Sequence, residues 1–255
     1  MQTSEKKVNS ADDLSIQYLD WDSEQLDIHC GLIDLSGDCA GKDPRILFDE
    51  LNALLAENED VKFITIKMDF SLKGILSPVI GLGARLIDTE LTFRFSRSQV
   101  RNVTPLSSAY RLEFCRKVES KYFESLSGQM IKSRFFQDPH IPYVQAEALW
   151  KESIRNHCEG FADELLVCYY DDIPCGLVNI SFKDDKKLYL HIVGVLKEYQ
   201  RRGVSQIMLG KVVKKYSVDF RIYVETQSDN QAAQKAYQKS GFVYDSLKYI
   251  LHFWC

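Results

Sequence analysis

Val193-Gly194-Val195-Leu196-Lys197-Glu198-Tyr199-Gln200-Arg201-Arg202-Gly203-Val204-Ser205 is the stretch on which the fold is decided. An apolar strand runs into a loop with two arginines and a glycine, and a helix follows. That helix is amphipathic: Met208, Val212 and Tyr216 lie four apart, with Leu209 and Val213 beside them. A loop that enters a helix N-terminus points N–H groups outward, into the positive end of the helix dipole. Such a turn holds a diphosphate, Gly203 lets the backbone come close, and Arg201 and Arg202 add charge. Alone, the same loop reads equally well as a surface turn with two solvated arginines.

A second constellation lies downstream. Ser228-Asp229-Asn230 opens a helix with good capping residues, and Gly241-Phe242 closes it. Asn230, Ala233 and Tyr237 stand at i, i+3 and i+7, on one helical face. A polar head, a small residue and a phenol on one stripe suit a cofactor lying along the helix. A packed aromatic with its hydroxyl satisfied in the core is the plainer account of Tyr237.

Outward from these motifs the chain reads as mixed α/β. Before them come strands over Tyr110–Phe114, Leu165–Tyr170, Gly176–Phe182 and Leu188–Val195, the second and third joined by Asp171-Asp172-Ile173-Pro174. Helices are expected over Val118–Ile131 and Val144–His157, with the loop Ser133–Pro139 between them. After them come strands over Phe220–Glu225 and Tyr244–Phe253. Nearer the N-terminus, Ser15–Leu35 carries strand-like apolar residues around Trp21. Asp43-Pro44 starts a helix with Leu47, Leu51, Leu54 and Leu55 at helical spacing. Val61–Met68 is a buried strand, Ser71 caps a second helix ending near Gly83, and Leu91–Phe95 alternates as a half-buried strand. The expected organisation is a loose tail over 1–14, an N-terminal α/β domain over 15–100, and a second domain over 105–255, with the polar segment Ser96–Ser108 between them.

Gln200-Arg201-Arg202-Gly203-Val204-Ser205 resembles the Q/R-x-x-G-x-G/A acetyl-CoA motif of the GCN5-related N-acetyltransferases (GNAT). Asn230 to Phe242 resembles their N-x-x-A-x-x-x-Y-x-x-x-G-F helix. The resemblance covers roughly the last 150 residues and implies a GNAT fold for the C-terminal domain. It implies that the sheet splays open after Val193-Gly194-Val195, with Val193 and Val195 pairing with the pantetheine arm of acetyl-CoA. It implies that the backbone of Gln200, Arg201, Arg202, Gly203, Val204 and Ser205 binds the pyrophosphate. Asn230 would contact the cofactor, and Tyr237 would sit near the thioester sulfur as general acid. Ser205 departs from the usual Gly or Ala. Tyr189 falls where some members carry a carboxylate base; His140 and His191, and more weakly Glu113, are the other candidates for a base.

A narrower resemblance takes in the whole chain. Leu19-Asp20-Trp21-Asp22-Ser23, Ser133-Arg134-Phe135-Phe136 and Val224-Glu225-Thr226-Gln227 resemble segments of the N-acetyltransferases that act on nucleotide-linked amino sugars, such as dTDP-fucosamine, in bacterial surface-glycan synthesis. The aromatic-glycine pair expected after Trp21 is replaced by Leu26-Asp27. This resemblance implies a dTDP-linked amino-deoxy sugar as acceptor. Arg134 would then be suited to a diphosphate through its planar fork, and Phe135 or Phe136 to stacking on a base. Two core phenylalanines and a surface arginine describe the same loop equally well. A protein N-terminus, a polyamine or another small amine are the alternative acceptors, and a non-catalytic module that binds acetyl-CoA is a different class.

Composition narrows the partners. A net charge of −4 with no Lys/Arg block argues against nucleic acid. No run of apolar residues is long enough to span a membrane, and the polar start Met1–Lys7 has no signal-peptide core. The seven cysteines form no C-x-x-C pair and no His cluster completes a zinc site, so no metal is expected and the thiols read as buried or idle in a reducing, cytoplasmic compartment. The oligomeric state stays open, a homodimer included.

Overall fold

The computed structural model describes residues 14–35, 39, 41–99, 108–183 and 185–255. Most of the expected tail, most of the polar segment Ser96–Ser108 and Asp184 lie outside the described residues. In chain order the elements are β1 (Gln17–Tyr18), α1 (Asp20–Leu26), β2 (Cys30–Leu35), α2 (Pro44–Glu57), β3 (Phe63–Asp69), α3 (Leu76–Gly81), β4 (Arg85–Phe95) and β5 (Tyr110–Cys115). There follow α4 (Arg134–Gln137), α5 (Tyr143–Asn156), β6 (Glu164–Tyr170), β7 (Ile173–Lys183), β8 (Lys187–Val195), α6 (Val204–Tyr216), β9 (Arg221–Gln227), α7 (Gln231–Lys239) and β10 (Phe242–Trp254).

These elements form two compact units. The first holds the chain up to Glu90 together with Ser133–Gln145 and Leu247–Cys255; the second holds Leu91–Lys132 and Ala146–Ser246. The division therefore differs from a single cut near residue 100. The segment 133–145, expected inside the second domain, packs in the first, and so do the last nine residues.

In the first unit the strand order is β1-β2-β3-β10. β2 and β3 run parallel, and β10 is antiparallel to β3, with Leu251 opposite Ile66 and His252 opposite Thr65. One face is apolar: Ile33, Ile64, Ile66, Met68 and Leu251 pack on Leu47 and Leu51 of α2 and Val79 of α3. Helix α2 begins where Asp43-Pro44 predicts, the Asp43 carboxylate accepting from the Arg45 amide. At the next helical segment the cap is Asp69 rather than Ser71; its carboxylate accepts from the Ser71 amide, and a 3₁₀ turn over Phe70–Ile75 leads into α3. Trp21 lies in a helix, not a strand. Its buried neighbours Leu19, Asp22 and Leu26 follow helical spacing, and the acidic residue in the middle masks that period in the sequence.

The opposite face sets buried polar groups beside the rings of Phe63 and Trp254. Thr65, His252, Asp22, Ser133 and Asp138 are all buried. Arg134 donates to Thr65 Oγ1 and, at 3.2 Å, to Asp22. His252 Nδ1 lies 2.6 Å and Trp254 Nε1 2.9 Å from the Asp138 carboxylate, which also accepts from the His140 amide. Burial alone would raise the Asp138 pKa, but the hydrogen bonds from His252, the His140 backbone and Trp254 outweigh it and hold the carboxyl well below the usual range. Burial, assisted by the nearby Arg134 charge, pushes His252 down to about 4 and outweighs the attraction of Asp138. The pair is thus a carboxylate beside a neutral imidazole at neutral pH.

In the second unit the strand order is β4-β9-β8-β7-β6-β5, antiparallel from β5 to β8 and parallel between β8 and β9. Helices α6 and α7 contribute Met208, Leu209, Val212 and Tyr237 to one core with Val178, Leu188 and Leu190. A second cluster on the other side joins Leu165, Leu177 and Ile192 to Phe123, Leu126 and Ile154. The helix expected over Val118–Ile131 is instead two 3₁₀ segments, Ser120–Tyr122 and Glu124–Gln129. Phe123 and Leu126, both fully buried, stand three apart, which is the repeat of a 3₁₀ turn.

Candidate active site

Strands β8 and β9 pair from Lys187↔Arg221 to Leu190↔Val224. Beyond that register β8 continues to Val195 and β9 to Gln227 without further pairing between them, so the sheet opens. The gap starts beside an irregularity in the β7–β8 ladder, where His191 and Ile192 together face Asn179. The Leu196 amide bonds Cys175 O on β7, and alternation along the strand then turns the amides of Val193 and Val195 toward the gap. The Val195 carbonyl accepts from Gln200 Nε2 at 3.0 Å, and the same nitrogen donates to Gln129 Oε1 at 2.7 Å. Gln200 therefore braces the open edge with its side chain.

After a short turn over Lys197–Tyr199 the backbone becomes left-handed twice, at Arg201 (φ 61°) and Gly203 (φ 82°). Such a φ is uncommon for a side-chain-bearing residue and occurs at sites where the surroundings impose it. Gly203 caps the 13-residue helix α6 with no side chain over its first amides. Space within 4 Å of a built Cβ at Gly203 is empty, so the turn presents bare backbone to solvent. Val204 buries its side chain and offers only its amide, Ser205 is half-buried, and Arg201 and Arg202 are exposed, with Arg202 over the Tyr199 ring. A strand edge whose amides turn toward the gap, leading to a helix N-terminus without a side-chain cap and to two cations, fits an extended arm that ends in a diphosphate.

Helix α7 is capped by Asn230, whose Oδ1 accepts from the Ala233 amide at 3.3 Å. That bond commits the side-chain oxygen to the helix. Tyr237 is buried between Phe93 and Phe242 in the same packed cluster that Val193 and Val195 join. Burial pushes its hydroxyl well above the ordinary tyrosine range, so it stays protonated.

The other expected residues fall in both units. Arg134 and Phe135 belong to the first unit; Arg134 is engaged by Asp22 and Thr65, and Phe135 is 3% exposed with the guanidinium over its ring. Phe136 is half-buried against Tyr143. His140 is in the first unit on Asp138, and Glu113 is exposed in an ion pair with Arg111. His191 is in the second unit, at the opening of the sheet. No motif singles out Tyr223, next to that opening; alternation along Arg221–Gln227 puts it, with Glu225, on the face opposite Ile222 and Val224 and is the available signal. Burial pushes the Cys30 and Cys158 thiols up to about 12. Among the described residues no group of His, Cys, Asp and Glu could hold a metal, and no helix is long and apolar enough to cross a membrane.

Residues 129–242 match the model of the acetyltransferase (GNAT) family. Over 125 residues the chain is 25% identical to a spore coat polysaccharide biosynthesis protein, SpsD, of Bacillus subtilis, covering 48% of this chain and 43% of that one. Over 82 residues it is 33% identical to N-alpha-acetyltransferase 50 of Danio rerio, covering 30% of this chain and 49% of the relative. The chain thus spans less than half the length of either curated relative. Among solved structures, a functionally unknown conserved protein from Staphylococcus epidermidis superposes with a TM-score of 0.60 at 15% identity, over 99% of this chain and 95% of that one. A GCN5-related N-acetyltransferase from Sphaerobacter thermophilus gives 0.58 at 12% identity, over 94% and 76%. These likenesses establish the fold: mixed α/β, with the GNAT arrangement over the matched region.

Proposed function

We propose that this chain is an acetyl-CoA-dependent N-acyltransferase whose acceptor is the amine of a nucleotide-linked amino-deoxy sugar, used in bacterial surface-glycan synthesis. The observation that carries the reaction class is the parting of β8 from β9 after Leu190↔Val224, at the foot of the left-handed Arg201-Arg202-Gly203 turn. The sugar is supported by the SpsD relative, named for polysaccharide biosynthesis, and by the Ser133–Phe136 resemblance.

Acetyl-CoA, when bound, supplies an activated acetyl thioester. The amides of the Gly203 turn and the two arginines hold its diphosphate end, and the open edge of β8 orients the arm. The Val195 amide, on the open edge of β8, donates to the developing oxyanion. Tyr237, kept protonated by burial, gives its proton to the departing sulfur and regains one from the attacking nitrogen. The amine must be neutral to attack. Electron-withdrawing ring substituents make a sugar amine less basic than a lysine, so this acceptor requires less help from a base. Holding both reactants in line contributes much of the rate.

The 33% identity to an N-alpha-acetyltransferase favours a protein N-terminus as the second reading. Mass spectrometry of the purified chain with acetyl-CoA and panels of nucleotide-linked amino sugars, peptides and polyamines separates the two. Acetylation of the sugars alone supports the proposal, and acetylation of peptides alone overturns its acceptor. Absence of any thiol release above background with every panel overturns the enzyme itself.

A further inference from the structure

Beyond Leu190↔Val224 the parted strands of the second unit are joined again through a third segment. It runs from Leu126 to Lys132, out of the 3₁₀ turns Glu124–Gln129. Its first anchor is on β8. Val193 and Val195 of that strand face the core under α6, so Gly194 turns to the other side, where the second cluster holds Leu126 and Ile192. A Cβ built on Gly194 would stand 2.6 Å from Leu126 Cδ1, closer than packed carbons approach. Only a glycine lets the segment lie this near to the open strand.

The second anchor is Gln129. Gln200 Nε2 donates both its hydrogens, one to Val195 O at 3.0 Å and one to Gln129 Oε1 at 2.7 Å. The partners dictate this orientation: a backbone carbonyl can only accept, so Gln200 presents its nitrogen there, and the second N–H calls for the oxygen of Gln129. The peptide between Val195 and Leu196 is then held at both ends, since the Leu196 amide donates to Cys175 O on β7 at 2.9 Å. The third anchor is on the other lip of the gap. Lys132 Nζ lies 2.5 Å from Asp229 Oδ2 and 3.2 Å from Asp229 O, just past the end of β9 and next to the Asn230 cap of α7. One short stretch of chain thus grips β8 and the β9–α7 turn together.

We infer that Leu126–Lys132 is a clasp that fixes the width of the gap, with Gln129 and Lys132 as positioning residues for the acyl thioester held in it. This rests on the acyltransferase reading above, whatever its acceptor. A strand edge that has lost its neighbour is free to sway, and an oxyanion donor on it contributes only while it stays in line with the carbonyl. Gln129 acts through Gln200 on Val195, the residue whose amide is that donor. Lys132 acts through Asp229 on the opposite lip. Its ion pair is exposed, 40% and 59% for the two side chains, so it contributes little to stability and works through spacing.

The test uses the full chain. Gln129→Leu keeps the bulk and removes the acceptor; Lys132→Met keeps the stem and removes the charge; Lys132→Arg keeps charge and reach. Hydrogen exchange at Val193–Leu196, read by mass spectrometry with and without saturating acetyl-CoA, follows the open edge. Acetyl-CoA should slow exchange there in the wild type. In Gln129→Leu and Lys132→Met that protection should fall roughly 2- to 12-fold, the scale of one hydrogen bond. With a dTDP-linked amino-deoxyhexose as acceptor, kcat should fall by up to ~10²-fold, more than the KM for acetyl-CoA rises. Lys132→Arg should restore both readouts, and the melting midpoint should stay at the wild-type value throughout. Unchanged protection and kcat in Gln129→Leu and Lys132→Met overturn the clasp. So does a loss that Lys132→Arg fails to restore, or one that follows a lowered melting midpoint, because the segment would then serve the fold alone. Absence of calorimetric acetyl-CoA binding by the wild type is the separate failure of the acyltransferase reading. A wild type that binds acetyl-CoA yet leaves the sugar unacetylated removes only the acceptor, and the exchange measurement still decides the clasp.

Discussion

Arg134 and the pair Arg201-Arg202 look alike in the sequence, each a cation in a loop before a helix, yet the structure uses them differently. Arg134 spends its fork within the protein, on the buried Asp22 and on Thr65. Arg201 and Arg202 stay exposed on a turn whose backbone is bent into the left-handed region and whose helix amides are bare. An arginine's work is thus set by what lies across from it. Asp22 is 112 residues away from Arg134 in the chain, whereas the Gly203 turn is local.

The sharpest way to break this contrast is Gly203→Glu. A carboxylate in the bare turn, on a residue forced to φ 82°, should abolish calorimetric acetyl-CoA binding while circular dichroism shows the fold retained. Undiminished affinity in a folded variant would remove the turn from the site. Tyr237→Phe comes next. Loss of a general acid should lower kcat by ~10²–10⁴-fold with acetyl-CoA affinity little changed. A kcat within about twofold of wild type would leave Tyr237 a packing residue.

Arg134→Ala tests the other side of the comparison. Removing one partner of a mostly buried ion pair typically costs about 3–5 kcal/mol, so the first thermal transition should move down clearly while acetyl-CoA affinity holds. If stability is unchanged and the KM for a nucleotide-linked sugar rises instead, Arg134 is a ligand after all and the two loops are alike.

The smallest effect is graded with pH. The folded-state pKa of His252 is lowered to about 4 from an ordinary 6.5, so the unfolded chain binds the extra proton first. Stability from this group is complete above pH 6.5 and falls by about 1.4 kcal/mol per unit between there and pH 4. Asp138, whose pKa is also depressed, adds its own loss only below the ordinary carboxylate range. His252→Gln should flatten the upper part of a chemical-denaturation series across that window; an unchanged slope would place the titration elsewhere.

What the sequence disclosed was what depends on neighbours in the chain. The Asp43-Pro44 start of α2, the Asn230 cap of α7, the Gly203 turn and the strands from Glu164 to Val195 all follow from local rules, and the structure has them. Hidden were the features that need a distant partner. Around Trp21 the sequence reads as a strand because Asp22 has no local reason to be buried. The segment 133–145 reads from the sequence as part of the second domain, whereas its anchors, Thr65, His252 and Trp254, lie on strands far away in sequence. Tyr223 carries no local signal because its partner, Tyr189, stands on another strand.

The strand β10 gives the first unit an unusual history. β3, which it pairs from Phe63 to Asp69, leaves the ribosome some 180 residues ahead of the residues that cover it. Until Lys248–Trp254 emerge, one edge of β3 has no strand to bond, Leu251 is missing from the apolar core, and Asp138 lacks two of its donors. Domains generally complete themselves in the order of synthesis; here the part begun first is finished last. A ribosome-bound chain arrested before residue 247 should therefore present an open edge of Phe63-Ile64-Thr65-Ile66, the kind of template on which nascent chains pair with one another.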